Sequence, residues 1–150
     1  MARTTLDTSG RDGFKVTIDG LEAVRNGLES VDHKLRVKLD RELKTAIGVV
    51  AGASARKVDS RTGATAAGYK VSARDGRYRV QNKTVGAAML ESAAIPKVPQ
   101  GATLIATLNE KYGKPDRILW ASWVLTRPYV LDRITQIVDE ARDELDAVMR

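Results

Sequence analysis

Apolar and polar positions change period several times along the chain, and each change predicts an element. Residues 1–13 carry neither a helical nor a strand period, and Gly10 and Gly13 punctuate them. This reads as an extended N-terminal arm, with a disordered tail as the plainer alternative. Phe14-Lys15-Val16-Thr17-Ile18 alternates and predicts a short half-buried strand, ended by Asp19-Gly20. From Leu21 onward the apolar residues step by three and four through Val24, Leu28, Val31, Leu35, Leu39, Leu43, Ile47 and Val50. That predicts a short helix near 20–29 capped by Asp19, a break at Ser30–Asp32, and a long helix near 32–57. Gly48 and Gly52, four apart, suggest a close approach there by the protein's own sheet or by a neighbouring subunit.

Beyond the Arg61-Thr62-Gly63 break, Tyr69–Arg74 and Arg77–Asn82 alternate around Asp75-Gly76, the strongest local signal in the sequence. An Asp-Gly pair between alternating runs predicts a two-residue hairpin turn. Register then sets Tyr78, Val80, Val71 and Tyr69 on one face, and Lys70, Ser72, Arg74, Arg77, Arg79 and Gln81 on the other. The apolar run Thr84–Leu90 reads as a further strand. Residues 92–118 hold Pro96, Pro99 and Pro115 and read as a long connection with one short helix near 103–112. Ile118–Leu125 reads as a buried strand or short packed helix. Thr126 as cap and Pro128 in the first turn then predict a C-terminal amphipathic helix near 128–148. The expected fold is α+β: an antiparallel sheet of three to five strands against the long helix and the C-terminal helix, in one domain over 14–150.

Charge sharpens this picture. The 150 residues carry a net charge of +6, but residues 60–100 hold seven basic groups against Asp75 and Glu91 alone. Residues 127–150 hold six acidic groups against four basic ones. Such a chain can bind nucleic acid through its middle, or bind copies of itself in a complementary way. Arg74 and Arg77 face each other beside the predicted turn, an unfavourable pair that water or an anionic partner relieves. Asp139, Glu140 and Asp143 on the last helix are a solvated face or the counterpart of a basic surface.

The chemistry of sites is nearly silent. With no cysteine there is no disulfide framework and no thiolate metal site, and a single histidine, His33, argues against a histidine metal cluster or a Ser/His/Asp triad. Phosphate-binding glycine motifs are missing, and Glu91 alone is not an acid–base pair. These features predict no enzyme, no metal and no cofactor. No apolar run approaches the ~18 residues of a membrane span. Met1-Ala2-Arg3-Thr4-Thr5 leads into polar sequence, so synthesis in the cytoplasm without a membrane partner is expected.

The order of motifs resembles the tail-completion, or head–tail joining, proteins of long-tailed bacteriophages. The resemblance runs over roughly residues 14–148, through a strand entering Gly20-Leu21, Arg61-Thr62-Gly63 before a hairpin, Leu90-Glu91, and Arg127-Pro128-Tyr129. Where that family often has an aromatic and a glycine after the glutamate, this chain has Ser92 and Ala93, and its 94–118 segment is longer. The resemblance implies a structural protein of the virion neck, assembled in the host cytoplasm. It would form a ring, six-fold by expectation, between a head-closure (stopper) protein and a tail-tube or tail-terminator protein, with genome DNA passing through. Expected contact residues are Arg61, Arg74, Arg77, Arg79, Glu91, Arg127, Pro128, Tyr129, Asp139, Glu140 and Asp143. The alternative is a small basic DNA-binding protein acting through the arginine-rich hairpin, although no aromatic interleaving accompanies that charge.

Overall fold

A computed structural model describes residues 4–10, 13–59, 63–74, 76–93 and 99–150. Strand β1 (Thr4–Gly10) pairs antiparallel with β2 (Gly13–Ile18). Part of the expected arm is thus an edge strand, docked by its backbone. Helices α1 (Leu21–Val31) and α2 (His33–Lys57) follow, then a single turn α3 (Ala64–Ala67) and strands β3 (Lys70–Arg74) and β4 (Arg77–Gln81). Helices α4 (Val85–Ser92), α5 (Pro99–Tyr112) and α6 (Leu119–Met149) complete the chain. The fold is α+β, with a four-stranded antiparallel sheet in the order β1-β2-β4-β3. Arg61 lies outside the described residues.

The break between α1 and α2 falls at Asp32, whose carboxylate accepts from the Lys34 amide at 2.8 Å and opens α2. The start of α1 differs from expectation. Its cap is Gly20 in the left-handed region (φ 78°), with no side chain donating or accepting there, so Asp19 is not the cap. Glycine adopts this conformation at no steric cost. The hairpin register is the expected one, with Val71 opposite Val80, Ala73 opposite Tyr78 and Arg74 opposite Arg77.

One segment takes a different form from the one its sequence suggests, and a second takes one of its two expected forms. Residues 85–92 are helical, not a strand. Thr84 caps this turn by accepting from the Ala87 amide at 3.2 Å, and alanine, methionine and leucine favour helix. A short apolar run does not distinguish the two by period. Of the two readings of 118–125, the packed helix is the one that forms: α6 begins at Leu119 and runs through Pro128, so Thr126 is no cap. Proline inside a helix costs about 3 kcal/mol. Burying Ile118, Leu119 and Trp123 against the rest of the core stabilises the added turns by roughly 1.5–3 kcal/mol per large apolar side chain, and that outweighs the proline.

The core gathers Val16, Ile18, Tyr78 and Val80 of the sheet, Leu21, Val24 and Leu28 of α1, Leu39, Leu43, Ile47 and Val50 of α2, and Val130, Ile134, Ile137 and Val138 of α6. Helix α2 is its centre. Leu35, Lys38, Leu39 and Glu42 lie along Ile137, Glu140, Ala141 and Glu144 of α6. Lys44, Gly48 and Ala51 border Tyr69, Lys70 and Val71. Helix α2 packs against β3 and β4 and also against α6, while α6 makes no extended contact with the strands, so the layer order is sheet, α2 with α1, α6. At Gly48 a Cβ would meet Val71 at 3.9 Å, ordinary contact, so the sheet does not require glycine there.

Candidate functional site: two charged outer faces and a stapled excursion

The layer order turns the hairpin arginines outward. Lys15 of β2, Arg79 of β4 and Ser72 of β3 stand side by side across the sheet by register, and Arg74 and Arg77 form the next row. With Tyr78 below, these residues line a shallow open groove. Arg79 is half-buried, and its Nε has no hydrogen-bond partner among the described residues. Closely spaced guanidinium groups on a sheet surface repel one another and attract anionic groups.

On the far side of the molecule, α6 presents the opposite sign. Ile134, Val138 and Ala141 face inward. Asp132, Asp139, Asp143 and Asp146 recur at steps of seven, four and three residues on the reverse side and are exposed. Within the chain, Glu144 at the edge of this stripe binds Lys38 Nζ at 2.6 Å, and Asp139 lies 3.8 Å from Arg142. Because α2 stands between them, this stripe cannot reach the basic groove of its own chain. Glu140 is exposed beside it, so Asp139, Glu140 and Asp143 share one end of α6.

Glu91 is not a surface contact. It is half-buried, and its carboxylate accepts from the amides of Ile118 (3.2 Å) and Leu119 (2.9 Å) and from the Tyr69 hydroxyl (3.1 Å). It therefore caps α6 from a distant part of the sequence. Burial pushes its pKa up, and the nearby Asp116 carboxylate adds to this, against the lowering effect of the three donors. Burial and the Glu91 carboxylate also raise the pKa of Tyr69.

Sequence reasoning missed Arg117, the buried partner of this cap. Its guanidinium donates to the carbonyls of Leu90 (2.8 Å), Ala93 (2.8 Å) and Gly113 (2.6 Å) and to Asn109 Oδ1 (2.6 Å). The Asp116 amide adds a 2.7 Å bond to the Glu91 carbonyl, from a residue in the left-handed region (φ 67°). Residues 90–93 and 113–119 are thus stapled together, and the expected long loop is a closed excursion carrying α5. The signal available in the sequence was a lone arginine next to the apolar run that opens with Ile118.

Arg127, Pro128 and Tyr129 sit mid-helix on α6, all exposed, with Tyr129 bordering α2 near Arg41 and Thr45. They lie apart from the basic groove. The expected contact residues therefore divide into a sheet face, an acidic stripe, the Arg127–Tyr129 surface and the internal Glu91. Among the described residues, no helix is long and apolar enough to cross a membrane, and no group of three His, Asp or Glu is placed to hold a metal ion. Compared with known protein families, curated proteins and solved structures, the chain matches none.

Proposed function

We propose that this protein is a non-enzymatic structural component of the neck of a long-tailed phage, which associates head to tail with its own copies into a ring joining the head-closure protein to the tail tube. The observation that carries this reading is the pair of outer faces of opposite charge on separate layers with α2 packed between them, the basic sheet groove and the acidic stripe of α6. A surface that fits a different surface on an identical molecule makes a heterologous contact, and repeating it closes a ring when the rotation allows. Opposed charge sets the register of such a contact and suppresses wrong pairings. The motif order from Gly20-Leu21 to Arg127-Pro128-Tyr129 supplies the neck assignment by resemblance.

The test is the mass of the full chain in solution, with charge reversals on each face. Arg77→Glu with Arg79→Glu, and separately Asp139→Lys with Asp143→Lys, are expected to dissociate the oligomer while leaving circular dichroism unchanged, since all four point away from the core. Carrying both pairs in one chain restores complementarity and should restore the oligomer. A wild-type chain that stays monomeric, yet binds duplex DNA with an affinity falling steeply as salt rises, refutes the ring and favours the DNA-binding alternative. Absence of the protein from purified particles refutes the neck assignment.

A further inference from the structure

Strand β3 is an outer strand of the sheet, and among the described residues no strand lies on its far side. The hairpin register decides what that edge offers. Arg74 and Arg77 flank the two-residue turn and exchange backbone hydrogen bonds, Ser72–Arg79 and Lys70–Gln81 repeat the pattern, and Val71 and Ala73 fall between. The amides and carbonyls of Val71 and Ala73 therefore point away from β4, toward the open side. Main-chain groups arrayed in this way are a template for one more strand.

The space beside the edge admits a strand. Gly48, Ala51 and Gly52 of α2 floor a groove along Lys70 and Val71, with Lys44 at its rim. A Cβ at Gly48 would meet only Val71 Cγ2, at 3.9 Å, and one at Gly52 only Arg56 Nη1, at 3.6 Å. Glycine inside a helix is destabilising relative to alanine, and no contact among the described residues calls for either one. Their effect is to keep the floor low where a fifth strand would lie.

Side-chain alternation then sets the chemistry of that strand. Lys70, Ser72 and Arg74 share the outer face of the sheet, while Val71 and Ala73 share the face toward α2. An added strand keeps the same two-residue period. Its positions beside Lys70, Ser72 and Arg74 meet those cations, with Arg79 one strand further, so acidic side chains suit them. Its alternate positions lie over the glycines and suit apolar side chains. Among the described residues, Lys44 and Lys70 are the charged groups of the groove, and no carboxylate lines it. A second copy's β3 is the wrong occupant, because it would set Lys70 and Arg74 against their own kind.

We infer that the β3 edge takes an extended segment of a partner protein, in which acidic and apolar residues alternate over the five-residue length of β3, as a fifth strand of the sheet. Hydrogen bonds at Val71 and Ala73 supply affinity, and the alternation supplies specificity. This goes beyond the self-association proposed above and does not depend on it, because neither charged face uses the hydrogen-bonding edge.

The probe is an end-blocked, fluorescein-labelled peptide, Glu-Val-Glu-Val-Glu, titrated with the full chain and read by anisotropy. It is expected to bind, while Glu-Glu-Val-Val-Glu, of the same composition, and Lys-Val-Lys-Val-Lys bind at least about ten-fold more weakly. Ala73→Pro removes an outward amide and leaves the β3–β4 ladder intact, so peptide binding should be lost at unchanged circular dichroism and urea midpoint. Gly48→Leu fills the floor of the groove and should weaken binding about ten-fold in a chain that unfolds no earlier than wild type. Equal binding of the alternating and shuffled peptides overturns the inference. So does binding that survives Ala73→Pro and Gly48→Leu but is lost in Arg77→Glu with Arg79→Glu, which places the peptide on the sheet face. No binding up to about 1 mM overturns it as well. A chain that forms rings without binding the peptide keeps the self-association and loses the edge contact; a monomer that binds the peptide does the reverse.

Discussion

Removing the Glu91 carboxylate should destabilise the fold through the start of α6, a helix whose first residue lies far along the chain from its cap. Glu91→Ala leaves the Ile118 and Leu119 amides and the Tyr69 hydroxyl without their acceptor. Loss of a helix cap costs about 1 kcal/mol. Each buried donor left unpaired costs roughly a further 1–3 kcal/mol, reduced here because the site is half-buried and water can enter. A total near 3 kcal/mol is expected, a large share of the ~5–15 kcal/mol that holds a typical domain together. Glu91→Gln keeps one acceptor oxygen and removes a desolvated charge, so it should cost about 1 kcal/mol or less.

The assay for Glu91 is urea unfolding at a dilution where the chain is monomeric, followed by tryptophan fluorescence. Trp120 and Trp123 lie within the first turns of α6 and report on its start. A loss below about 0.5 kcal/mol for Glu91→Ala, or equal losses for alanine and glutamine, would refute the cap argument. The pH dependence has a definite sign. Burial raises the folded-state pKa of Glu91 above 4.5, so the folded state binds more protons than the unfolded chain just above that value. Its contribution therefore declines as pH climbs from 4.5 through the folded pKa, and wild type should gain on Glu91→Gln as pH falls through that window. Glu29, lowered by His33 and Arg36, and Asp59, lowered by Lys111, act with the opposite sign. Their stabilisation is lost only as pH falls below 4.5 and 3.8 respectively.

Two further outcomes follow from close contacts elsewhere. Arg117→Leu removes donors to three carbonyls and Asn109, so limited proteolysis between residues 93 and 117 should accelerate at least several-fold while the hairpin stays protected; an unchanged cleavage pattern would show that the staple does not hold the excursion. Gly68→Ala would set a Cβ 2.4 Å from Asn82 Oδ1, the atom that accepts from the Thr84 amide and hydroxyl. Displacing Asn82 should cost about 1–3 kcal/mol in thermal or urea unfolding, and a neutral result would mean that this turn relaxes freely.

Where local chemistry alone was sufficient, the amino-acid sequence determined the outcome. Asp32 splits the first two helices because a short acceptor next to free amides is favourable in any context. The alternation of the two runs predicted the hairpin register, and register alone turned Arg74, Arg77 and Arg79 to the same side. The charge asymmetry between the middle and the end of the chain was equally legible. Tertiary structure decided what depends on remote partners. Residues 85–92 and 119–127 became helix because the Thr84 cap, Glu91 and the burial of Trp123 outweighed an ambiguous period and an internal proline. Glu91 and Arg117 acquired their roles only when segments some 27 residues apart met, since a carboxylate's function is set by the donors around it. That the basic groove and the acidic stripe point away from each other followed from α2 standing between them, a consequence of layer packing that no spacing along the chain encodes.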